Sequence, residues 1–268
     1  MSEVATTVAA PPHARRARDF VRGTWYIGRR EIRLVWRTPA ALLPGLFIPV
    51  FFFFVQAGSL TKVAQASGFV GNYKAFILPV SILFAVSNGG AGLNMVQDIE
   101  SGYFDKLVLT PTNRLALLLG AMGADFARVL VQGLFTAFVA YLVGVHWATG
   151  AVGLIAMVAL ASLWGLAYSA MGFGIALKTG SAQATQSAFV LFFPFVFLTT
   201  SFAPKEALSG WLATAATYNP MTYLLSGMRG LGLEGWHLRP IVGALLAIGV
   251  VASITITAAM MALRGRVK

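Results

Sequence analysis

The sequence predicts an all-α polytopic membrane protein. Three observations point there. Of its 268 residues, 57% are apolar and only 11% are charged, against about 25% charged in an ordinary globular domain. The mean hydropathy is +0.75. Apolar runs of about 20 residues, the length that crosses a bilayer, recur along the chain. Together these exclude a soluble enzyme, a disordered chain and a disulfide scaffold. Cysteine is absent, so there is no zinc–thiolate site and no catalytic thiol. The net charge of +11 fits basic residues that hold loops on the cytoplasmic side of a membrane, and nucleic acid is not expected as a partner.

Residues 1–18 read as a disordered cytoplasmic tail and 19–37 as an amphipathic interfacial helix. Val21, Trp25, Ile32 and Trp36 fall on one face at helical spacing, flanked by Arg22, Arg29, Arg30, Arg33 and Arg37. Indoles at headgroup depth and guanidinium groups reaching phosphates characterise a helix lying in the interface. A plain basic anchor is the alternative.

Six transmembrane helices follow within 38–263. They are read at Thr38–Ala57, Ala75–Gln97, Leu115–Gly144, Ala151–Leu177, Ala182–Ala203 and Pro240–Leu263. Prolines inside them are tolerated where neighbours satisfy the freed carbonyls. The basic residues before the first span, together with Lys106, Arg114, Lys178 and those of the C-terminus at 264–268, lie on one side. Lys62, Lys74, Lys205, Arg229 and Arg239 lie on the other. This bias puts both termini in the cytoplasm of a multi-pass protein in the cell membrane.

Two segments outside these spans carry more information. In 98–114, Ile99, Tyr103 and Leu107 recur every four residues and predict an apolar stripe on a short cytoplasmic helix. Pro111 would end it and Asn113 would cap the next helix. Such a stripe fits a groove on another protein or lies on the bilayer. The outer segment 204–239 is too apolar for a solvated loop. It predicts two short helices, Ala207–Thr217 and Met221–Leu233, separated by Tyr218-Asn219-Pro220. They either dip into the membrane as re-entrant half-helices or lie on its surface.

Glu100-Ser-Gly-Tyr-Phe-Asp-Lys-Leu107 with Thr110-Pro-Thr-Asn-Arg114 resembles the cytoplasmic coupling segment of type-2 ABC exporter permeases. Phe202-Ala-Pro204 and Tyr218-Asn-Pro-Met-Thr-Tyr223 are similar to that family's re-entrant region. The order and spacing of these motifs cover nearly the whole chain, and the closest branch resembles the daunorubicin-resistance type of drug-export permease. Tyr103 departs from the small Ser or Thr common at that position.

The resemblance implies a non-catalytic permease subunit that forms the translocation pathway for a hydrophobic drug, lipid or similar compound. Two permease halves, identical or homologous, would pair with two copies of a separate ATPase, which would hold the ATP and Mg. This chain would bind no cofactor. Glu100, Gly102, Tyr103, Phe104, Leu107 and Pro111 would serve ATPase coupling, with Leu107 as a buried anchor. Trp25, Arg29, Arg33 and Trp36 would form the interfacial helix's working surface. Asn219, Pro220, Tyr223 and Arg229 would belong to the re-entrant segment. Polysaccharide or lipid-linked glycan is the alternative cargo, and a channel or scaffold subunit without ATP drive is a further alternative.

Within the spans, Asp125 and Arg128 stand three residues apart and are placed to pair along one helix face. Asn88 and Asn94 sit among Gly89, Gly90 and Gly92, where glycines let helices approach closely or the asparagines line a pathway. His13, His146 and His237 are isolated, so no metal site is expected. There is no Gly-x-Ser-x-Gly nucleophile and no histidine in an expected span, which argues against an intramembrane serine hydrolase.

The nearest approach to a phosphate-binding loop is Gly172-Phe-Gly-Ile-Ala-Leu-Lys-Thr179, with Leu177 where the second glycine is required. The purified chain should therefore hydrolyse no ATP. Turnover by a preparation shown by mass spectrometry to lack any ATPase subunit would contradict this.

Overall fold

The computed structural model describes residues 12–37, 39–66, 71–86, 90–109 and 113–266. Eleven α-helices make up its framework, and no strand occurs among the described residues. Asn88 and Pro111 lie outside the described residues, as does the side chain of Trp36.

Helix α1 spans Pro12–Arg37 and so begins inside the stretch expected to be a disordered tail. A proline suits the first helical position, and the Ala- and Arg-rich run after it has high helix propensity. α1 lies along α6 (Arg114–Leu142). Gly28 and Gly120 permit this crossing, since a Cβ on Gly120 would stand 2.8 Å from both the Thr24 carbonyl oxygen and Ile27. Val21 and Trp25 stay exposed.

Among the described residues, four helices are long and apolar enough to cross a membrane: Leu42–Ala66, Arg114–Leu142, Gly150–Thr179 and Leu238–Arg266. The first lies within α2 (Pro39–Ala66), which runs past its expected end at Ala57. α6, α7 (Gly150–Thr179) and α11 (Leu238–Arg266) correspond to the third, fourth and sixth expected spans. Asn113 caps α6 as expected, its Oδ1 accepting the Leu115 N–H at 2.9 Å.

The remaining two expected spans differ from the sequence reading. The stretch read as Ala75–Gln97 is interrupted, giving α3 (Tyr73–Leu83) and α4 (Gly90–Glu100). α3 gives way to a turn at residues 84–86, and α4 begins at Gly90, a residue type that weakens a helix interior. The fifth, read as Ala182–Ala203, ends at Phe197 as the 16-residue α8 (Ala182–Phe197). Beyond it lie α9 (Gly210–Tyr218), α10 (Pro220–Arg229) and a wide π-turn at Gly230–Glu234.

The early end of α8 has a visible cause. A helix end leaves carbonyls without partners, and here side chains take them up. Thr199 and Ser201 hydroxyls donate to the Val196 carbonyl at 2.6 and 2.7 Å. Asn219 Nδ2 donates to the carbonyls of Phe195 and Leu198, both at 2.9 Å. Its Oδ1 accepts the Met221 N–H at 3.0 Å, so one asparagine closes α8 and opens α10.

Arg229, counted above as an outer loop cation, is instead buried, with 8% of its surface exposed. It donates from Nη1 to the Thr200 carbonyl at 2.8 Å, from Nη2 to the Ser201 carbonyl at 3.0 Å and from Nε to the Phe76 carbonyl at 3.0 Å. Its guanidinium carbon sits 3.5 Å from the centre of the Phe76 ring. Carbonyl dipoles and an aromatic face thus surround the charge, and no carboxylate pairs with it among the described residues.

The core has two tiers. One unites α3, the second half of α6, the first part of α7, and parts of α8 and α10 around Trp164, Phe84 and Phe192. The other unites α4, the start of α6, and the last turns of α7 and α11 around Met122 and Phe173.

Replacing Arg229 with Met should strip the buried Thr200 and Ser201 carbonyls of their donors. Each unsatisfied buried group costs about 1–3 kcal/mol. We expect the thermal midpoint of the detergent-solubilised chain to fall by several degrees. An unchanged midpoint would show that the clamp carries no stability.

Candidate functional site

The coupling segment is an elbow rather than one helix. α4 ends at Glu100 and α5 (Tyr103–Val108) starts after Ser101-Gly102. Gly102 has φ of +69°, the left-handed conformation that ends helices and that other residues adopt at a cost. The Gly102 N–H donates to the Ile99 carbonyl at 3.1 Å, and the Ser101 N–H to the Gln97 carbonyl at 2.9 Å. The expected stripe of Ile99, Tyr103 and Leu107 is thereby split, because the chain turns between Ile99 and Tyr103.

The elbow seats itself by Phe104, which is buried at 2% exposure in the second core tier. Ile99, Leu107 and Val108 pack partly against the same tier. Leu107 therefore spends part of its apolar surface inside the chain. The residues pointing outward are Glu100, Tyr103, Asp105, Lys106 and Leu109. Leu109 is 86% exposed, and the sequence reading missed it because it falls outside the four-residue repeat.

Arg30 ties this elbow to α1. Its Nη1 and Nη2 donate to Asp98 Oδ2 and Oδ1 at 2.9 and 2.7 Å, a bidentate arrangement that fixes orientation. The same guanidinium lies 4.1 Å from the centre of the Tyr103 ring. Trp25, Arg29 and Arg33 are exposed on α1.

Asp125 and Arg128 bond each other on α6, as their spacing predicted. They lie between the two core tiers, with Met122 in one and Val129 in the other. Beside them is a cavity of about 20 Å3 lined by Gly92, Gly165, Tyr168, Ser169, Gly172 and Thr185, among others. A Cβ on Gly92 would meet Thr185 Cγ2 at 2.6 Å, so glycine is what lets α4 reach this layer. Asn94, half-buried on α4, is not part of its lining. Arg128 also borders an apolar pocket of about 120 Å3 between α1, α2 and α6, with Gln132.

The re-entrant candidates separate by role. Asn219 and Arg229 hold the end of α8. Pro220 is the first residue of α10, where its missing N–H costs nothing. Tyr223 is half-exposed and donates to the Thr217 carbonyl at 3.0 Å, bracing α9 against α10.

Comparison with known proteins gives consistent relatives. The chain is 23% identical over 241 residues to the probable doxorubicin resistance ABC transporter permease protein DrrC of Mycobacterium tuberculosis, covering 88% of this chain and 86% of that one. It is 22% identical over 193 residues to the daunorubicin resistance ABC transporter permease protein DrrB1 of Streptomyces coeruleorubidus, covering 71% and 66%. It is 25% identical over 201 residues to the protein ycf38 of Porphyra purpurea, covering 73% and 68%. The family description of the ABC-2 type transporter matches residues 22–233. With its apolar helices and its elbow between α4 and α6, the chain belongs to the ABC-2 type transporters as a membrane permease subunit.

Proposed function

We propose that this permease exports a hydrophobic drug-like or lipid-like compound, driven by a separate ATPase that docks on the elbow. In this reading α3 and α4 together make the second crossing. α8 makes the fifth: at about 24 Å it stops short of a hydrocarbon core about 30 Å thick, and α9 and α10 complete that side as the re-entrant pair. Both termini are cytoplasmic. A second permease half, identical or homologous, completes the pathway. ATP and Mg sit on two ATPase subunits, and this chain holds neither. The names of the anthracycline-resistance relatives favour a hydrophobic drug over a glycan.

The observation that carries this reading is the shape of the elbow. Phe104 anchors it from within, Gly102 sets its bend, and Tyr103 and Leu109 stand outward with charged neighbours on either side. Apolar tips beside charged groups suit a groove on a soluble partner. A push on this projection is delivered to α1 by the Arg30–Asp98 pair and to α6 and α7 by Phe104.

Leu109→Asp places a carboxylate at the most exposed apolar tip while leaving the core intact. An interface anchor of this kind is worth about 2 kcal/mol or more, so association with the ATPase should weaken by more than tenfold. The variant should accumulate normally in the membrane yet retain little ATPase on co-purification. Leu107→Asp should instead lower the yield of folded chain, because Leu107 packs partly inward. Normal ATPase retention by Leu109→Asp would remove the elbow tip from the interface.

A further inference from the structure

We propose that the groove between α7 and α11 binds an anionic phospholipid of the leaflet that faces the elbow. The proposal rests on the membrane-permease reading, with the elbow end at the cytoplasmic face.

The groove encloses about 830 Å3, within the range of roughly 300–1,000 Å3 typical of ligand sites. Its trough is apolar, formed by Met171, Ile175, Ile254, Ala258 and Met261, with small residues at Gly174 and Gly265. The one hydroxyl there, Thr255, already donates to the Ala167 carbonyl at 2.7 Å. Nothing in the trough therefore asks for a polar ligand. Along α7 it runs from Ala170 to Lys178, about 12 Å at 1.5 Å per residue. That is close to the ~15 Å depth of one leaflet's hydrocarbon.

Both cations of the groove lie at one end. Lys178 stands in the last turn of α7 and Arg266 in the last turn of α11. No carboxylate lines the groove, and neither cation forms an ion pair among the described residues. Arg266 is held by its Nη1, which donates to the Leu177 carbonyl at 3.1 Å, and its guanidinium carbon lies 6.0 Å from the Phe104 ring centre. The charged end of the groove thus coincides with the elbow end of the chain. A long apolar trough capped by two cations, with no carboxylate against them among the described residues, complements one acyl chain and one phosphate diester. Zwitterionic lipids would offset much of that attraction with their own ammonium group. Basic pockets between membrane helices on the cytoplasmic side favour anionic headgroups for this reason.

The test uses the full-length chain purified in a mild detergent and titrated with phosphatidylglycerol or phosphatidylcholine of matched acyl chains, with bound lipid counted by native mass spectrometry. Each cation near a headgroup is worth about fivefold in affinity and the two together about thirtyfold. We therefore expect a preference of about thirtyfold for phosphatidylglycerol. The double variant Lys178→Gln, Arg266→Gln should bring the two lipids close to parity. Arg266→Lys should keep most of the preference. Arg264→Gln, which removes a cation at the same end but outside the groove, should leave it unchanged. Ala258→Trp, which fills the trough, should reduce retention of both lipids. Soluble glycerol phosphate should not compete.

An undiminished preference in the double variant would overturn the proposal. So would equal competition by glycerol phosphate, which would mark a free-anion site. A change of oligomeric state in Ala258→Trp without loss of lipid would overturn it too, by assigning the groove to a second copy of the chain. The readout needs neither ATPase nor transport. Its failure therefore leaves the permease reading standing, whereas recovery of the chain from cells without detergent would sink that reading.

Discussion

The structure depends on one constraint: a helix that stops among apolar neighbours must still find partners for its last carbonyls. α8 is too short to carry its end clear of them, and the solution is specific. Asn219, Thr199 and Ser201 take up the carbonyls of Phe195, Val196 and Leu198. Arg229 then fixes the turn that follows through Thr200 and Ser201, and reaches α3 through Phe76. With those groups satisfied, α9 and α10 can fold back as short helices. The π-turn after α10 is secured in the same way, since its Leu231 and Gly232 carbonyls accept the Thr149 hydroxyl and the Ala148 N–H. Arg266 does the same for the far end of α7 by meeting the Leu177 carbonyl.

A different solution serves the elbow. There the chain lies at the surface, and a left-handed glycine makes the bend. The elbow is fastened by one buried ring, Phe104, and by one charge contact, Arg30 with Asp98. Between the elbow and α10 lies the layer of Asp125 and Arg128, at the level where one core tier gives way to the other. A pair of charges bonded along a single helix stands there, with glycines from α4 and α7 around it.

Much of this was legible in the sequence because the relevant signals are local. Length and hydropathy mark α2, α6, α7 and α11. Asn113 reads as a cap from its position before an apolar run, and Tyr218-Asn219-Pro220 reads as the break between two short helices. Asp125 and Arg128 pair at a spacing that any helix imposes. The misses involve residues far apart in the chain. Arg30 and Asp98 are 68 positions apart, and no periodicity links them. Arg229 reads as a loop cation until its carbonyl partners, 28 and more positions away, are placed around it. The four-residue repeat of Ile99, Tyr103 and Leu107 was misleading, because it assumes a continuous helix where Gly102 bends the chain. Leu109 escaped notice for the same reason.

The Arg30–Asp98 contact is where the proposed drive mechanism meets the fold most directly, since it is the ion pair that joins α1 to the elbow among the described residues. The decisive measurement is ATP turnover by the permease reconstituted with its ATPase, comparing Arg30→Asp, Asp98→Arg and the two combined. Contacting charges couple by about 0.5–3 kcal/mol, so each single reversal should slow turnover about tenfold. The combined exchange, which restores opposite charges across the same gap, should recover more than half of the lost rate. Single reversals that leave turnover unchanged, or an exchange no faster than either of them, would contradict the assignment of this contact to coupling.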